Sequence, residues 1–250
     1  MENQEHDFIT DKTCRISVCV GAKGGGKTFL LLQYVKFSLM SNRFASYHIV
    51  LPSFTDEESG QYDWLTKHSN INIYTAYSPI VTERVKRDAA KNSKAGDKTF
   101  FALDDATHNG VDLNGDHEFL EMITTSRHRK IQIFLIFHSL RSVIVPTIRA
   151  NIDYLFIFRI SNNRLLNAVY EEYFSMFKEF NGKPREFASF YIDQIYEREH
   201  GCLFLDTVRH QYSPNVPDWQ VMSLEMNETR KIKHASKHPT VRSPGSSRPS

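Results

Sequence analysis

Apolar and polar positions divide the chain into short runs of β-branched and aromatic residues and longer segments with helical spacing. The short runs predict strands, namely RISVCV at 15–20, SYHIVLP at 46–52, NINIYTAY at 70–77, KTFFALDD at 98–105, KIQIFLIFHS at 130–139, YLFIFR at 154–159 and CLFLDTV at 202–208. KIQIFLIFHS is apolar throughout its later half, which is typical of a central parallel strand with both faces buried. The runs therefore predict a sheet at the centre of the molecule.

The segments between these runs have apolar residues at helical spacing. Helices are predicted over 27–40, over about 79–91, after Asp116, over 164–180 and over 185–198. Asp116 is a candidate N-cap, and NGKP at 181–184 separates the last two helices. Alternation of strands and helices predicts an α/β fold, with a mostly parallel sheet flanked by helices.

The two ends of the chain differ in composition from the part between them. Residues 1–14 are polar and predict an N-terminal arm, and residues 15–225 carry all the predicted strands. Residues 226–250 are rich in Ser and Pro, and from Arg230 onward they hold six Lys or Arg and no acidic residue. We therefore expect one folded domain over 15–225 and a disordered basic tail over 226–250.

Composition sets limits on the class of protein. The 250 residues are 40% hydrophobic, enough for one large core, and the formal net charge is only +2, so any nucleic-acid surface must be a local patch. Apolar runs fall short of a membrane span, and the polar N-terminus lacks a signal-peptide pattern. Cys14, Cys19 and Cys202 favour buried thiols in a reducing, cytosolic setting, and the scattered histidines predict no zinc site.

A glycine-rich stretch, GAKGGGKT, stands between the first predicted strand and the first predicted helix. It fits G-x-x-x-x-G-K-[ST] over Gly21, Ala22, Lys23, Gly24, Gly25, Gly26, Lys27 and Thr28. Glycines let consecutive backbone NH groups converge on phosphate oxygens at the positive end of the helix dipole. Lys27 would reach the β and γ phosphates of a nucleoside triphosphate, and Thr28 would ligate Mg²⁺. The alternative is a chance match, but the flanking strand and helix favour the phosphate-binding interpretation.

Two carboxylates end the predicted strand at 98–105. Asp104 is placed to support a magnesium ion at the strand tip, and Asp105 to polarise a water against the γ phosphate. A turn or a helix cap is the alternative for an isolated strand ending in Asp. Together with the glycine-rich stretch, the pair favours hydrolysis of a nucleoside triphosphate.

Four arginines flank the strand predicted at 130–139, with Arg127 and Arg129 before it and Arg141 and Arg149 after it. In ring-shaped NTPases, one subunit supplies an arginine to its neighbour's γ phosphate, which contributes about 10³ to 10⁵ in rate. Surface charge or contact with the DNA backbone is the alternative for each arginine. The set predicts at least one arginine that acts in trans.

His138 and Ser139 end the same strand. In a doubly wound sheet this position faces the nucleotide, so a polar γ-phosphate sensor is one interpretation. A histidine that bonds only to a loop carbonyl is the other.

The order of GAKGGGKT, FALDD and SRHRKIQIFLIFHSLRSVIVPTIRANIDYLFIFR resembles the FtsK/HerA superfamily of P-loop ATPases. Within it, the resemblance is to the poxvirus-like genome-packaging ATPases of double-stranded DNA viruses, and it covers about residues 15–210. It implies a homo-oligomeric ring, a pentamer or hexamer, that hydrolyses ATP with Mg²⁺ and drives double-stranded viral DNA into a preformed capsid. The implied location is the host cytoplasm or the viral assembly site, with a capsid vertex or an inner membrane protein of the virion as partner.

The resemblance also implies roles for individual residues. Lys27 and Thr28 bind phosphate and Mg²⁺, Asp104 supports the metal, and Asp105 activates water. Arg127 or Arg129 resembles the finger that acts in trans, with Arg149 as the competing candidate. His138 departs from the family pattern, because such ATPases usually carry a glutamine there.

Three other functions stay open at this point. A filamentous-phage-type assembly ATPase would be expected to have a spanning helix, and a P-loop kinase of a small acceptor would be expected to have an Asp-Arg dipeptide, which this sequence lacks. A nucleotide-binding structural component of a virion with a decayed site would be expected to have lost one of Lys27, Thr28, Asp104 and Asp105. The complete set favours an active ATPase.

Overall fold

In the computed structural model, eight strands form one sheet. The structure describes residues 13–54, 62–105, 113, 115–138, 146–160, 162–198 and 200–214. The strands are β1 Ile16–Val20, β2 Ser46–Val50, β3 Ile71–Tyr74, β4 Thr99–Leu103, β5 Ile131–Phe137, β6 Tyr154–Phe158, β7 Cys202–Asp206 and β8 Gln211–Ser213. Their order across the sheet is β3-β2-β4-β5-β1-β6-β7-β8. Strands β1 to β6 pair in parallel, whereas β7 and β8 are antiparallel to their neighbours.

Helices cover both faces of the sheet. They are α1 Lys27–Met40, α2 Asp63–Thr66, α3 Pro79–Lys94, α4 His117–Thr125, α5 Pro146–Arg149, α6 Asn163–Val169 and α7 Pro184–Tyr191. Two π-helical turns, Tyr170–Phe174 and Ile192–Tyr196, continue α6 and α7. Helices α1 and α2 pack on one face, and α3, α4, α6 and α7 pack on the other. Because side chains alternate between the two faces of a strand, Cys19 of β1 packs in the core on the side of α1 and α2. Its neighbour Val18 packs in the core on the opposite side of the sheet.

The strand register brings the ends of four strands together at one edge of the sheet. Val20, the last residue of β1, lies beside Phe137 of β5 and Ile157 of β6. Leu103, the last residue of β4, lies beside Leu135 of β5. The segments that follow β1, β4, β5 and β6 therefore leave the sheet side by side. In open α/β sheets, the ligand-binding crevice forms at this carboxyl-terminal edge.

The predicted fold class is confirmed, and α1 has the predicted bounds. Two helix predictions were too long: α6 with its π-helical turn ends at Phe174 and not Phe180, and α7 with its π-helical turn ends at Tyr196 and not Arg198. Helix α3 instead extends beyond the predicted end, to Lys94. Helices α2 and α5 and strand β8 were not predicted, because each has only three or four residues and shows no periodicity.

The prediction of buried cysteines is confirmed, since Cys14, Cys19 and Cys202 are all buried and none is in a disulfide bond. Most of the arm at 1–14 and the tail at 226–250 lie outside the described residues, so both predictions stay predictions. Within the described ranges, we find no helix with the length and apolar character of a membrane span.

Candidate functional site

Residues 21–28, which form the loop after β1 and the first two residues of α1, have the backbone conformation that their glycines permit. Gly21, Gly24 and Gly26 have positive φ angles of 149°, 76° and 98°. Gly26 is the N-cap residue of α1, so the first helical NH groups begin at Lys27. We name residues 21–28 the P-loop. Its place between a parallel strand and a helix N-terminus suits it to bind phosphate.

Close packing against β6 explains the glycine at position 21. A Cβ atom there would lie 2.7 Å from Phe158 Cβ and 3.1 Å from the Phe158 carbonyl carbon, whereas a Cβ on Gly24 would have no heavy atom within 4 Å. The NH of Ala22 also donates to the Arg159 carbonyl at 2.9 Å. The start of the P-loop is therefore fixed to the end of β6.

We expect Gly21→Ala to destabilise the protein more than Gly24→Ala. Both substitutions place a side chain at a positive φ angle, which costs about 1–2 kcal/mol. Only Gly21→Ala adds an overlap with backbone and Cβ atoms, so its total cost should reach about 3 kcal/mol or more. Free energies of unfolding from urea titrations test this difference, and equal losses for the two variants would contradict it.

The Lys27 side chain lies along the P-loop. Its ammonium donates to the carbonyls of Gly21 at 2.9 Å and Ala22 at 2.7 Å, and its Nζ is 3.5 Å from His138 Nδ1. Burial lowers the pKa of Lys27 from its ordinary value, while the carboxylates of Asp104 and Asp105 oppose that shift. Phosphate oxygens of a nucleotide would compete with the two carbonyls for this ammonium.

Thr28 and Asp104 meet across the P-loop. Thr28 Oγ1 donates to Asp104 Oδ2 at 2.8 Å, although 76 residues separate them in the chain. Burial raises the pKa of Asp104, and the Thr28 hydrogen bond lowers it in part. A hydroxyl and a carboxylate at this separation form an oxygen-donor set that suits Mg²⁺, which is bound in such sites by one or two carboxylates and by substrate phosphates.

Asp105 and His138 form a pair beside them. Asp105 Oδ1 lies 3.3 Å from His138 Nε2, and both side chains are about one third exposed. Asp105 has a φ angle of 49°, in the left-handed region that Asp and Asn tolerate better than other non-glycine residues. This backbone turn separates the two consecutive carboxylates, so that Asp104 contacts Thr28 and Asp105 contacts His138.

These residues line a single cavity of about 460 Å³, within the size range of ligand pockets. Its lining consists of the P-loop from Lys23 to Thr28 together with Phe29, Pro52, Ser53, Asp104, Asp105 and His138. The sequence analysis missed Pro52 and Ser53, which lie two and three residues after the end of β2. Because β2 was predicted as a strand, the rule that loops after parallel strands meet at one edge could have found them.

The three described arginine candidates lie at the opposite edge of the sheet. Arg127 and Arg129 precede β5, and Arg149 ends α5, which precedes β6. The seven residues of β5 span about 20 Å, so none of these arginines is near its own P-loop. Ser139 and Arg141 lie outside the described residues.

Each of these arginines forms an ion pair within the chain. Arg127 pairs with Asp153, Arg129 with Glu121 at 2.5 Å, and Arg149 with Glu172 at 2.6 Å. The side chains of Arg127, Arg129 and Arg149 are 60%, 35% and 29% exposed, respectively. Arg127 is therefore the most exposed of the three side chains, and the catalytic role of each arginine stays a prediction.

The fold and the site together are those of a P-loop NTPase, and a family comparison confirms the resemblance to poxvirus-like proteins found in the sequence. The model of the family described as Poxvirus A32 protein matches residues 3–177, more than half of the chain. The chain belongs to this family.

Individual relatives are more distant. Uncharacterized protein 015R of Frog virus 3 (isolate Goorha) is 24% identical over 196 residues, and the match covers 77% of this chain but only 56% of that relative's length. The DNA-packaging ATPase B204 of Sulfolobus turreted icosahedral virus has a TM-score of 0.60 at 15% identity, with 83% of this chain and 99% of that chain covered.

Two further solved structures have the same fold. The genome packaging NTPase B204 of Sulfolobus turreted icosahedral virus 2, in complex with AMP, has a TM-score of 0.57 at 16% identity, with 82% of this chain and 98% of that chain covered. The pCW3 conjugation coupling protein TcpA, with ATPγS, has a TM-score of 0.53 at 15% identity over 89% of this chain and 66% of that chain.

Proposed function

We propose that this protein hydrolyses ATP to drive double-stranded viral DNA into a preformed capsid, as a homo-oligomeric ring at the site of virus assembly in the host cell. The observation that carries the proposal is the meeting of Lys27, Thr28, Asp104 and Asp105 around one cavity. Family membership and the fold shared with viral packaging ATPases support it. The capsid contact would be a vertex protein or an inner membrane protein of the virion.

The four residues divide the chemistry between them. The P-loop NH groups and the Lys27 ammonium would bind and orient the phosphates, and Thr28 and Asp104 would hold Mg²⁺. Mg²⁺, when bound, would neutralise charge on the β and γ phosphates. Asp105 is the more exposed of the two carboxylates and would accept a proton from the attacking water. His138, within 3.3 Å of Asp105 and 3.5 Å of Lys27, would orient Asp105 and contact the γ phosphate.

A ring would bring an arginine of one subunit to the nucleotide of the next. The described arginine candidates lie about 20 Å from their own P-loop, at the edge where parallel strands begin. If subunits pack with the P-loop edge of one against the opposite edge of the next, each nucleotide receives an arginine from its neighbour. Such a head-to-tail interface closes into a ring when the rotation between subunits allows it. Arg127 is our first candidate because its side chain is the most exposed of the three.

We expect double-stranded DNA to stimulate ATP hydrolysis by the purified full-length protein. DNA would align subunits around a common axis and so complete sites shared between neighbours. Release of inorganic phosphate should rise several-fold when DNA is added and should be absent in Lys27→Ala. The stimulation by DNA should weaken with increasing salt, because protein contacts with the DNA backbone release counterions.

The same measurement includes an outcome that contradicts the motor. If labelled γ phosphate appears on a nucleoside or another small acceptor and DNA has no effect, the protein is a kinase. Particle mass with DNA and a non-hydrolysable ATP analogue tests the ring separately, since a monomer under these conditions would contradict shared sites.

A further inference from the structure

The P-loop has different neighbours on its two sides. On one side, the ends of β5 and β4 carry His138, Asp104 and Asp105, which belong with the γ phosphate and the metal. On the other side, β6 ends at Phe158, and β7 begins at Cys202. Because the reacting phosphate must face Asp105, the sugar and base of a nucleotide must extend toward the β6 and β7 side.

Three contacts fix the chain before β7 against the end of β6. Tyr191 OH donates to the Phe158 carbonyl at 2.7 Å and accepts from the Ile160 NH at 2.7 Å. Arg159 Nε donates to the Tyr196 carbonyl at 3.1 Å. These bonds hold residues 191–196 beside the strand that supports the P-loop.

The turn that follows brings His200 to the P-loop itself. His200 Nδ1 lies 3.5 Å, and its Cβ 3.6 Å, from the position that a Cβ on Gly26 would occupy. His200 has a φ angle of 56°. Gly201 packs so tightly that a Cβ there would lie 2.2 Å from the Ile195 carbonyl oxygen. The tight turn thus places an imidazole next to the N-cap residue of α1.

We propose that Arg159 and Tyr196 form a stacking platform for the nucleobase, with His200 beside the ribose. The Arg159 guanidinium lies 4.4 Å from the centre of the Tyr196 ring, Arg159 is exposed, and Tyr196 is 38% exposed. A guanidinium stacked on an aromatic ring keeps a second planar face that can stack on a base. The inference rests on the proposed ATPase function, since it requires a nucleoside triphosphate at the P-loop.

Comparing two ligands tests the platform. AMPPNP carries a base and a sugar, whereas inorganic tripolyphosphate offers the P-loop phosphates alone. By titration calorimetry with Mg²⁺, we expect Tyr196→Leu and Arg159→Lys to bind AMPPNP about tenfold more weakly, because each loses a planar face. Both variants should bind tripolyphosphate within about twofold of the wild-type value, and Tyr196→Phe should bind AMPPNP within about twofold of wild type, because it keeps the ring.

Arg198→Ala is the matched control. Arg198 is an exposed arginine two residues from Tyr196, and its guanidinium donates to Gln194 Oε1 at 2.8 Å. The Arg198→Ala variant should bind both AMPPNP and tripolyphosphate with the affinity of the wild type. Equal losses of AMPPNP and tripolyphosphate, or unchanged AMPPNP binding in Tyr196→Leu, would overturn the platform. Failure of the wild-type protein to bind tripolyphosphate would instead overturn the phosphate-binding role of the P-loop, and the platform with it.

Discussion

Asp105→Asn should bind ATP within about twofold of the wild-type affinity while its turnover falls by about 10³-fold. The substitution removes the ability to accept a proton but keeps the size of the side chain. Asn also tolerates the 49° φ angle at this position. The Thr28 hydroxyl and Asp104 carboxylate keep their 2.8 Å contact, so the proposed phosphate and metal contacts stay in place. Binding of AMPPNP and single-turnover hydrolysis of ATP measure the two effects separately.

Lys27→Ala is the matched comparison for Asp105→Asn. It removes the ammonium that now contacts the Gly21 and Ala22 carbonyls and would contact phosphate oxygens, so both affinity and turnover should fall. If Asp105→Asn weakened AMPPNP binding as much as Lys27→Ala does, Asp105 would act in ground-state binding. The assignment of Asp105 as the residue that activates water would then be wrong.

The sequence was sufficient to predict that the P-loop, Asp104 and Asp105 lie together in the candidate site. Each element there is local: the P-loop is one continuous stretch, and Asp104 and Asp105 directly follow a strand that apolar residues define. The rule that parallel strands end at one edge then brings separate stretches together. The contact between Thr28 and Asp104 therefore follows from two motifs and one rule of topology, although 76 residues separate the two.

The proposed nucleobase platform could not be predicted in the same way. Arg159, Tyr196 and His200 belong to no motif, and their meeting depends on where a π-helical turn ends and on the antiparallel direction of β7. The apolar spacing of residues 185–198 fits an α-helix and an α-helix with a π-helical turn equally well. Whether a final strand runs parallel or antiparallel to its neighbour depends on a connection with no periodicity.

The arginines illustrate a different limit of sequence analysis. Their positions before β5 and β6 could be predicted, but the carboxylates with which they form ion pairs could not. Asp153 is only 1% exposed, and its Oδ2 accepts from the Ile16 NH at 2.8 Å while its Oδ1 pairs with Arg127. One buried carboxylate thus connects Arg127 to the first residue of β1, the strand that leads into the P-loop. Nothing in the spacing of these residues indicates that contact.

Arg127→Ala should lower DNA-stimulated turnover by about 10³-fold or more, with nucleotide binding to the isolated subunit unchanged, because the guanidinium would act only on a neighbour's γ phosphate. Mixing Arg127→Ala with Lys27→Ala subunits should restore activity. An Arg127→Ala subunit has an intact P-loop, a Lys27→Ala subunit has an intact Arg127, and about one quarter of the interfaces in a random equal mixture combine the two.

Recovery of ATPase activity in the mixture also distinguishes a catalytic role of Arg127 from a folding defect in the Arg127→Ala subunit. Loss of Arg127 removes one partner of the buried Asp153 carboxylate, although Asp153 keeps the Ile16 NH and lies 3.6 Å from Arg15 NH1. An Arg127→Ala subunit that had lost its fold could not supply a working P-loop to the mixed ring. Parallel mixtures with Arg129→Ala and Arg149→Ala identify the finger, since only the arginine that crosses the interface should show restoration. If no mixture regains activity while each variant still binds AMPPNP, the shared site is wrong, and the γ phosphate must be stabilised from within one subunit.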